Sequence, residues 1–355
     1  MARIEREWST KMQNKNKTSK EADPSVIMEM NTAFWISRTL QVANELEIFT
    51  KLSGKCLALE DAAKAIEIPP RPAEMLLNAC VALGLLEKEN GCYKNSNLSE
   101  KYLVKDKPEY FGYMIAHGVQ LSEYWSKLGE VVKNNKPIEH SAPFEDEETA
   151  RMFTLAMHSG STPTAKALVD FIPLPHTPIK LLDVGGGSGV ISIKLAEKYP
   201  NISAVVFDTP NVCKVAQEFI NQSPASNRIK TYAGDYTKEL PKGFDVVILS
   251  NILHGKGVQN CISLLKKVYE SLNQSGLVII LDFLLDDDKC GPVFPTLFAL
   301  NMLIATPEGG TYSGAEIKQW LEDIGFNNIK KEPLIGNTSM VLGVKGKNDR
   351  NKNLF

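Results

Sequence analysis

The residues of this chain with chemistry to offer collect at the ends of apolar runs. Residues 181 to 189 read Leu-Leu-Asp-Val-Gly-Gly-Gly-Ser-Gly, so that Asp183 opens a D-x-G-x-G-x-G pattern ending at Gly189. An apolar run, Ile179 to Val184, predicts a buried strand, and Val190 to Lys198 has the spacing of a helix packed on a sheet. Glycines Gly185 and Gly187 therefore sit where a strand meets a helix N-terminus. A backbone without Cβ atoms turns tightly there and admits a ligand, and the free amides favour acceptor atoms. A dinucleotide fingerprint would need a further glycine at 190, where Val190 stands. Two more acids follow: Asp208 closes the run Ile202 to Phe207, and Asp235, with Tyr236 after it, follows Ile229 to Ala233. An acid at the tip of a second strand can accept two hydrogen bonds from ribose hydroxyls. Asp235 is placed to accept from an adenine amino group, with Tyr236 packed on the ring. Alone, the glycine turn also fits another nucleotide or a purely structural corner; three acids at three successive strand tips are a more specific set. A fourth run, Phe244 to Ser250, leads into Asn251-Ile252-Leu253-His254 and brings a histidine to the same edge.

The elements that must position these residues occupy the second half of a chain whose 355 residues exceed one ordinary core. From residue 178 to 345 strands and helices alternate, which predicts an α/β doubly wound parallel sheet. Beyond the four runs already named come a helix over 259–272, a strand over Leu277–Asp282, a helical segment over 294–305, the loop Pro307-Glu308-Gly309-Gly310, a helix over 313–324, and a final pair near 329–333 and 339–345. Residues 25–110 predict a smaller, mainly helical domain. One or two helices carry Ile27, Met28, Phe34 and Trp35, then two further helices meet at Ile68-Pro69-Pro70, and a hairpin turns at Asn90-Gly91. Helix, turn, helix and hairpin describe a winged helix. Its second helix is apolar after Arg71 and Glu74, which suits packing or dimerisation and not the reading of a DNA groove. Residues 111–177 predict a helical connector, opened in its second part by the acidic cap Glu145-Asp146-Glu147-Glu148, and residues 1–24 and 346–355 read as polar tails.

Composition narrows the partners. A net charge of −2 argues against an extended polyanion-binding surface, so nucleic acid is not expected. The six cysteines fall in no metal-ligand or disulfide spacing, which points to reduced thiols in the cytoplasm and to no metal. No apolar segment of membrane length occurs; the run Leu277 to Leu285 is short and interrupted by Asp282.

Taken together, LLDVGGGSG, FDTPNV, AGDY, SNILH and the stretch from Leu281 to Phe326 resemble the two-domain S-adenosylmethionine (SAM) dependent O-methyltransferases, a family that includes plant phenolic, bacterial polyketide and animal hydroxyindole enzymes. The resemblance implies a class I Rossmann-like domain that binds SAM through Asp183, Gly185, Gly187, Asp208, Asp235, Tyr236 and Ser250. It implies His254 as general base, and an N-terminal winged helix that makes a homodimer. An acceptor pocket between the domains is expected from Met157, His158, Phe294, Phe298, Asn301 and Met302, apolar walls with one amide that suit a flat aromatic or polyketide-like molecule. Two motifs depart from the family. His-Asp-Trp is here His254-Gly255-Lys256, and G-G-x-E-R-T is here Gly309-Gly310-Thr311-Tyr312-Ser313. The missing acid would have to come from Asp282 or Glu308, and Lys256, if turned inward, would depress the histidine pKa. The expected activity is O-methylation of a small aromatic metabolite. A C- or N-methyltransferase of the same fold, or a SAM-binding protein without transfer, is the alternative.

Overall fold

The computed structural model describes residues 23–139 and 146–346. The tails 1–22 and 347–355, and Glu145 of the acidic cap, lie outside the described residues. The chain divides into two compact units, one ending at Glu123 and the other beginning at Tyr124.

In the first unit, helices Ser25–Thr32 and Phe34–Glu45 precede a short helix at Ile48–Lys51. Strand β1 (Leu57–Ala58) leads into helix Leu59–Ile66, and Pro70, whose missing amide costs nothing at a helix start, opens helix Pro70–Ala82. Strands β2 (Leu86–Glu89) and β3 (Cys92–Asn95) form an antiparallel hairpin, and β1 adds to the far side of β3. Asn90 and Gly91 both take positive φ, 49° and 81°, as the tight two-residue turn demands. A core of Ile48, Phe49, Leu77 and Tyr93 joins these elements. Outside it, Ile27, Met28, Phe34, Trp35 and Ile36 are more than half exposed on the first two helices.

The second unit is a seven-stranded sheet in the order β6-β5-β4-β7-β8-β10-β9. Its strands are β4 (Ile179–Val184), β5 (Ile202–Asp208), β6 (Ile229–Ala233), β7 (Phe244–Ser250), β8 (Leu272–Phe283), β9 (Phe326–Ile335) and β10 (Thr338–Lys345). The pairs among β4 to β8 are parallel, while β10 runs antiparallel to both β8 and β9. The expectation of a wholly parallel sheet is corrected at this edge. The residues at 336 and 337 that join β9 to β10 form a tight turn, and a parallel pair needs a crossover of a dozen residues or more. The first part of the helical connector is built of two helices, Gly112–Trp125 and Leu128–Asn134.

Apolar residues alternate between the two covered faces. Leu181, Val206, Ile248 and Ile279 join one core, and Leu182, Phe207, Val247 and Ile280 join the other. Each such side chain contributes roughly 1.5–3 kcal/mol by leaving water, which is why the strands read as continuous apolar runs. The chain winds from β4 outward through β5 to β6, then returns to place β7 on the other side of β4. Ligands of such sheets bind outside the carboxyl ends of the strands where the winding reverses, here the ends of β4 and β7.

Candidate active site

At the carboxyl end of β4 the turn is built by glycines the backbone requires. Gly185 has φ 63°, and a Cβ there would lie 2.4 Å from Cδ1 of Ile252. Gly187 has φ 57° and open space where a Cβ would be, so the mouth of the turn is unobstructed. The Gly187 amide donates to Oδ2 of Asp208 at 2.9 Å, and the Thr209 amide donates to Oδ1 at 2.7 Å. Burial pushes the Asp208 carboxyl above its ordinary pKa, against these two hydrogen bonds. Asp183 lies beneath the turn: it is 1 % exposed, its Oδ2 accepts from the Ser192 hydroxyl at 2.8 Å, and its Oδ1 is buried with no partner among the described residues. Desolvation, with the Asp208 charge adding, raises its pKa to about 6. The Ser250 hydroxyl, at the tip of β7, is also buried without a described partner. Asp235 is exposed and accepts from the amide and hydroxyl of Thr237 at 2.8 and 2.6 Å. The Lys256 amine lies 4.5 Å from the centroid of the Tyr236 ring, and burial lowers its pKa. Burial likewise pushes the Tyr236 phenol up to about 12.

His254 stands on a single 3-10 turn, Leu253–Gly255, just past β7. The turn is tied from several directions. The Gly310 amide donates to the His254 carbonyl at 2.8 Å, the Tyr312 hydroxyl donates to the Lys256 carbonyl, and the Cys261 thiol donates to the Leu253 carbonyl at 3.3 Å. Strand β8 runs parallel beside β7 with Ser250 opposite Leu281, so Asp282 emerges at the same edge. His254 Nδ1 lies 2.7 Å from Asp282 Oδ1, with the side chains 13 % and 4 % exposed. An ionised carboxylate only accepts, so Nδ1 carries the proton and Nε2 presents its lone pair. Of the two candidate acids, the geometry brings only Asp282 to the histidine. Glu308 is exposed and accepts from the Asn260 amide at 3.1 Å.

Aromatic rings surround the pair. Phe283 stacks parallel to the imidazole at 6.1 Å between centroids, and Phe298 meets it edge-on at 4.9 Å. Phe294 and Phe298 each contact Phe283 at 4.9 Å. Phe294, Phe298 and Asn301 recur at i, i+4 and i+7 on helix Val293–Ala305 and share one face, with Met302 buried beside it. Met157 is half-buried on helix Glu147–Phe171. His158, expected in the same pocket, is placed elsewhere. Its Nδ1 lies 2.8 Å from the Ser188 hydroxyl in the glycine turn, and its ring stacks on Phe219 at 4.0 Å. Burial, then the Lys194 charge, lowers its pKa to about 4, so it is neutral. Sequence reasoning passed over Ser188, Ser192, Phe283 and Trp125, whose indole Nε1 donates to Asn301 Oδ1 at 2.9 Å. Ser188 and Phe283 lie inside quoted motifs but at positions to which no role was given, and the Trp125–Asn301 pair is separated by 176 residues.

The description of the O-methyltransferase domain matches residues 125–327, more than half of the chain, and that of the O-methyltransferase dimerisation domain matches residues 28–105. The chain belongs to the O-methyltransferase family. As a member it is a SAM-dependent methyltransferase of the class I fold. It is 34 % identical to a 3-hydroxy-5-methyl-1-naphthoate 3-O-methyltransferase of Streptomyces sahachiroi, over 91 % of this chain and 95 % of that one. It is 30 % identical to the acetylserotonin O-methyltransferase of Bos taurus, over 90 % and 97 %. The crystal structure of human N-acetylserotonin methyltransferase in complex with SAM superposes with a TM-score of 0.83 at 25 % identity, covering 93 % of this chain and all of that one. Among the described residues no helix is long and apolar enough to cross a membrane, and no acidic, histidine or cysteine cluster has the makings of a metal site.

Proposed function

We propose that this O-methyltransferase holds SAM on the glycine turn and methylates a hydroxyl of a small aromatic or polyketide-like acceptor, with His254 as general base. The observation that carries the reading is the 2.7 Å pair between His254 Nδ1 and Asp282, walled by Phe283 and Phe298. The cofactor fits the residues present. Asp183 Oδ1 and the Ser250 hydroxyl are buried without a partner among the described residues, and Gly187 leaves its approach open. Asp183 beneath the turn supplies negative charge near the methionine end, Asp208 is placed for ribose hydroxyls, and Asp235 with Tyr236 for adenine. When bound, SAM supplies an activated methyl group on its sulfonium.

The chain's own part is orientation and proton removal. A phenol with a pKa of about 10 is a poor nucleophile until it loses its proton, and a positioned histidine contributes roughly 10²–10⁴ in rate. Asp282 holds the ring so that Nε2 receives that proton. The apolar walls exclude water and hold a flat acceptor in line, where orientation supplies much of the acceleration. Met157, Phe294, Phe298, Asn301 and Met302 furnish those walls. The relatives named above act on a hydroxynaphthoate and on acetylserotonin, both aromatic hydroxyl compounds.

The exposed apolar side chains of residues 27–36, in a domain matched by the dimerisation-domain description, support a homodimer through the N-terminal winged-helix domain. The domain limits 25–110, 111–177 and 178–345, and a cytoplasmic location, complete the reading. Purified protein given methyl-labelled SAM and a panel of hydroxyaromatics is expected to yield O-methyl products by mass spectrometry. His254→Ala lowers kcat/KM by roughly 10²–10⁴ while S-adenosylhomocysteine still binds; undiminished turnover would exclude His254 as base.

A further inference from the structure

The turn after β4 can be gripped by only one side chain. Of residues 185–189 all but Ser188 are glycine, and Gly185, Gly187 and Gly189 take positive φ, so the free backbone has many conformations to lose when it is ordered. Backbone bonds restrain part of it. The Gly185 amide donates to the Phe207 carbonyl and the Gly189 amide to the Gly186 carbonyl, both at 2.8 Å, and the Gly187 amide donates to Asp208. Ser188 supplies the remaining hold. It is 3 % exposed, and its hydroxyl meets Nδ1 of His158 at 2.8 Å and no other described residue. His158 stands 30 positions earlier in the chain, on helix Glu147–Phe171. Its own ring is held in turn, stacked on Phe219 of helix Pro210–Gln222 at 4.0 Å between centroids and 14° from parallel. A neutral imidazole has one donor and one acceptor nitrogen and a hydroxyl can act as either, so both tautomers complete the bond. Burial keeps the imidazole neutral, and it therefore sets no positive charge behind the turn to oppose a sulfonium.

We propose that His158 is a positioning residue for the cofactor: by holding Ser188 it presets the glycine turn in the geometry that receives SAM. The inference rests on the reading of that turn as the cofactor site, and it assigns part of the cofactor's affinity to a residue outside the motif. A ligand binds a loose turn more weakly in proportion to the time the turn spends in incompetent shapes, and a turn held in advance escapes that loss. The bond and the stack can be separated chemically. Phenylalanine at 158 keeps a ring against Phe219 and removes the bond to Ser188. Asparagine does the reverse, placing a polar atom where Nδ1 stood and removing the ring.

For the full-length protein, affinity for S-adenosylhomocysteine is measured by calorimetry, and amide hydrogen exchange is followed by mass spectrometry with and without that ligand. His158→Phe is expected to bind S-adenosylhomocysteine about 10-fold more weakly, and without ligand to exchange faster over residues 183–190 while β7 and β8 keep their rates. His158→Asn should recover the affinity to within about 3-fold. Ser188→Ala should match His158→Phe, and the double variant should bind no more weakly than either single one, because one bond cannot be lost twice. A packing role alone would give a different pattern: faster exchange in β7 and β8 as well, with phenylalanine tolerated better than asparagine. That pattern, additive losses in the double variant, or undiminished affinity in His158→Phe would overturn the assignment. Failure of S-adenosylhomocysteine to protect residues 183–190 in the unaltered protein would remove the turn as the cofactor site and this inference with it, whereas protection there with an unaffected His158→Phe would remove this inference alone. Should His158→Phe fail to fold, Ser188→Ala, which removes a single oxygen, decides the same question.

Discussion

Replacing Asp183 by asparagine is expected to stabilise the ligand-free protein above pH 6 while weakening SAM binding. Asp183 is 1 % exposed, and one of its oxygens has no partner among the described residues. Its carboxyl titrates at about 6 in the fold, against about 3.9 when unfolded. The folded state thus binds the proton more tightly, so that between these values the folded chain carries more protons than the unfolded one. Stability is fully present below about pH 4 and falls as pH rises through 6. At 1.36 kcal/mol for each tenfold difference, the loss is about 3 kcal/mol. Asparagine removes the charge and keeps an oxygen for the Ser192 hydroxyl, whose hydrogen bond to the carboxylate is already contained in the shift. The net gain at pH 7.5 is therefore about 3 kcal/mol, and it disappears near pH 4. Urea unfolding of both proteins without ligand, at several pH values from 4.5 to 7.5, measures the difference and cancels the other titrating groups. The same variant should bind SAM at least ~10-fold more weakly, because a cationic sulfonium loses a nearby negative charge. An asparagine variant that is less stable at pH 7.5, or whose pH slope matches the unaltered protein, refutes the claim that a desolvated charge sits under the turn.

Two further outcomes bear on the site and the assembly. In Asp282→Asn, the atom replacing Oδ1 must still accept from both His254 Nδ1 and the Phe283 amide, so the amide oxygen goes there, and the variant loses the negative charge together with the 3.4 Å bond that Oδ2 accepts from the His254 amide. The expected effect is a fall of roughly 10² in kcat, with S-adenosylhomocysteine affinity unchanged; a loss in KM alone would assign Asp282 to binding. Phe34 and Trp35 are 63 % and 62 % exposed, and the double variant Phe34→Asp, Trp35→Glu should convert a dimer to monomers by light scattering, while an unaltered mass would place the interface elsewhere.

The cofactor half of the site was legible because local rules write it. A strand must end in a turn, the turn needs glycine at positive φ, and the acids fall at strand tips because parallel strands all finish at one edge. Asp183, Asp208 and His254 could therefore be placed on that edge from the sequence. Which way each points was not legible. Asp183 lies beneath the turn, where Ser192 on the following helix donates to its carboxylate, a contact that no spacing in the sequence writes. His158 was assigned to the acceptor pocket by its position before β4, yet a helix offers several faces and this one meets Ser188 and Phe219. The edge strand β10 was read as parallel with the rest because alternation along the chain is silent about direction; the brevity of the 336–337 turn decides it.

The acceptor half follows another logic, and it explains how the chain tolerates its broken motifs. Where the family writes an acid directly after the histidine, this chain has Gly255, and where the family writes a glutamate after the glycine loop, it has Tyr312. Neither replacement leaves the histidine without support. Register between β7 and β8 delivers Asp282 to Nδ1, and Tyr312 serves the turn through the Lys256 carbonyl instead of through a charge. A carboxylate held by strand register is less free to move than one on the histidine's own loop, because shifting it by one residue would exchange the β8 side chains between two differently packed cores and turn Asp282 to the other face of the sheet. Orientation of the base is thereby tied to the stability of the sheet itself. Lys256 is freed from the histidine to lie over Tyr236 on the cofactor side, and Phe283, next after Asp282, becomes the floor against which Phe294 and Phe298 pack. The departures from the family motif and the aromatic surroundings of His254 are thus two consequences of one arrangement, the run of β8 past the end of β7.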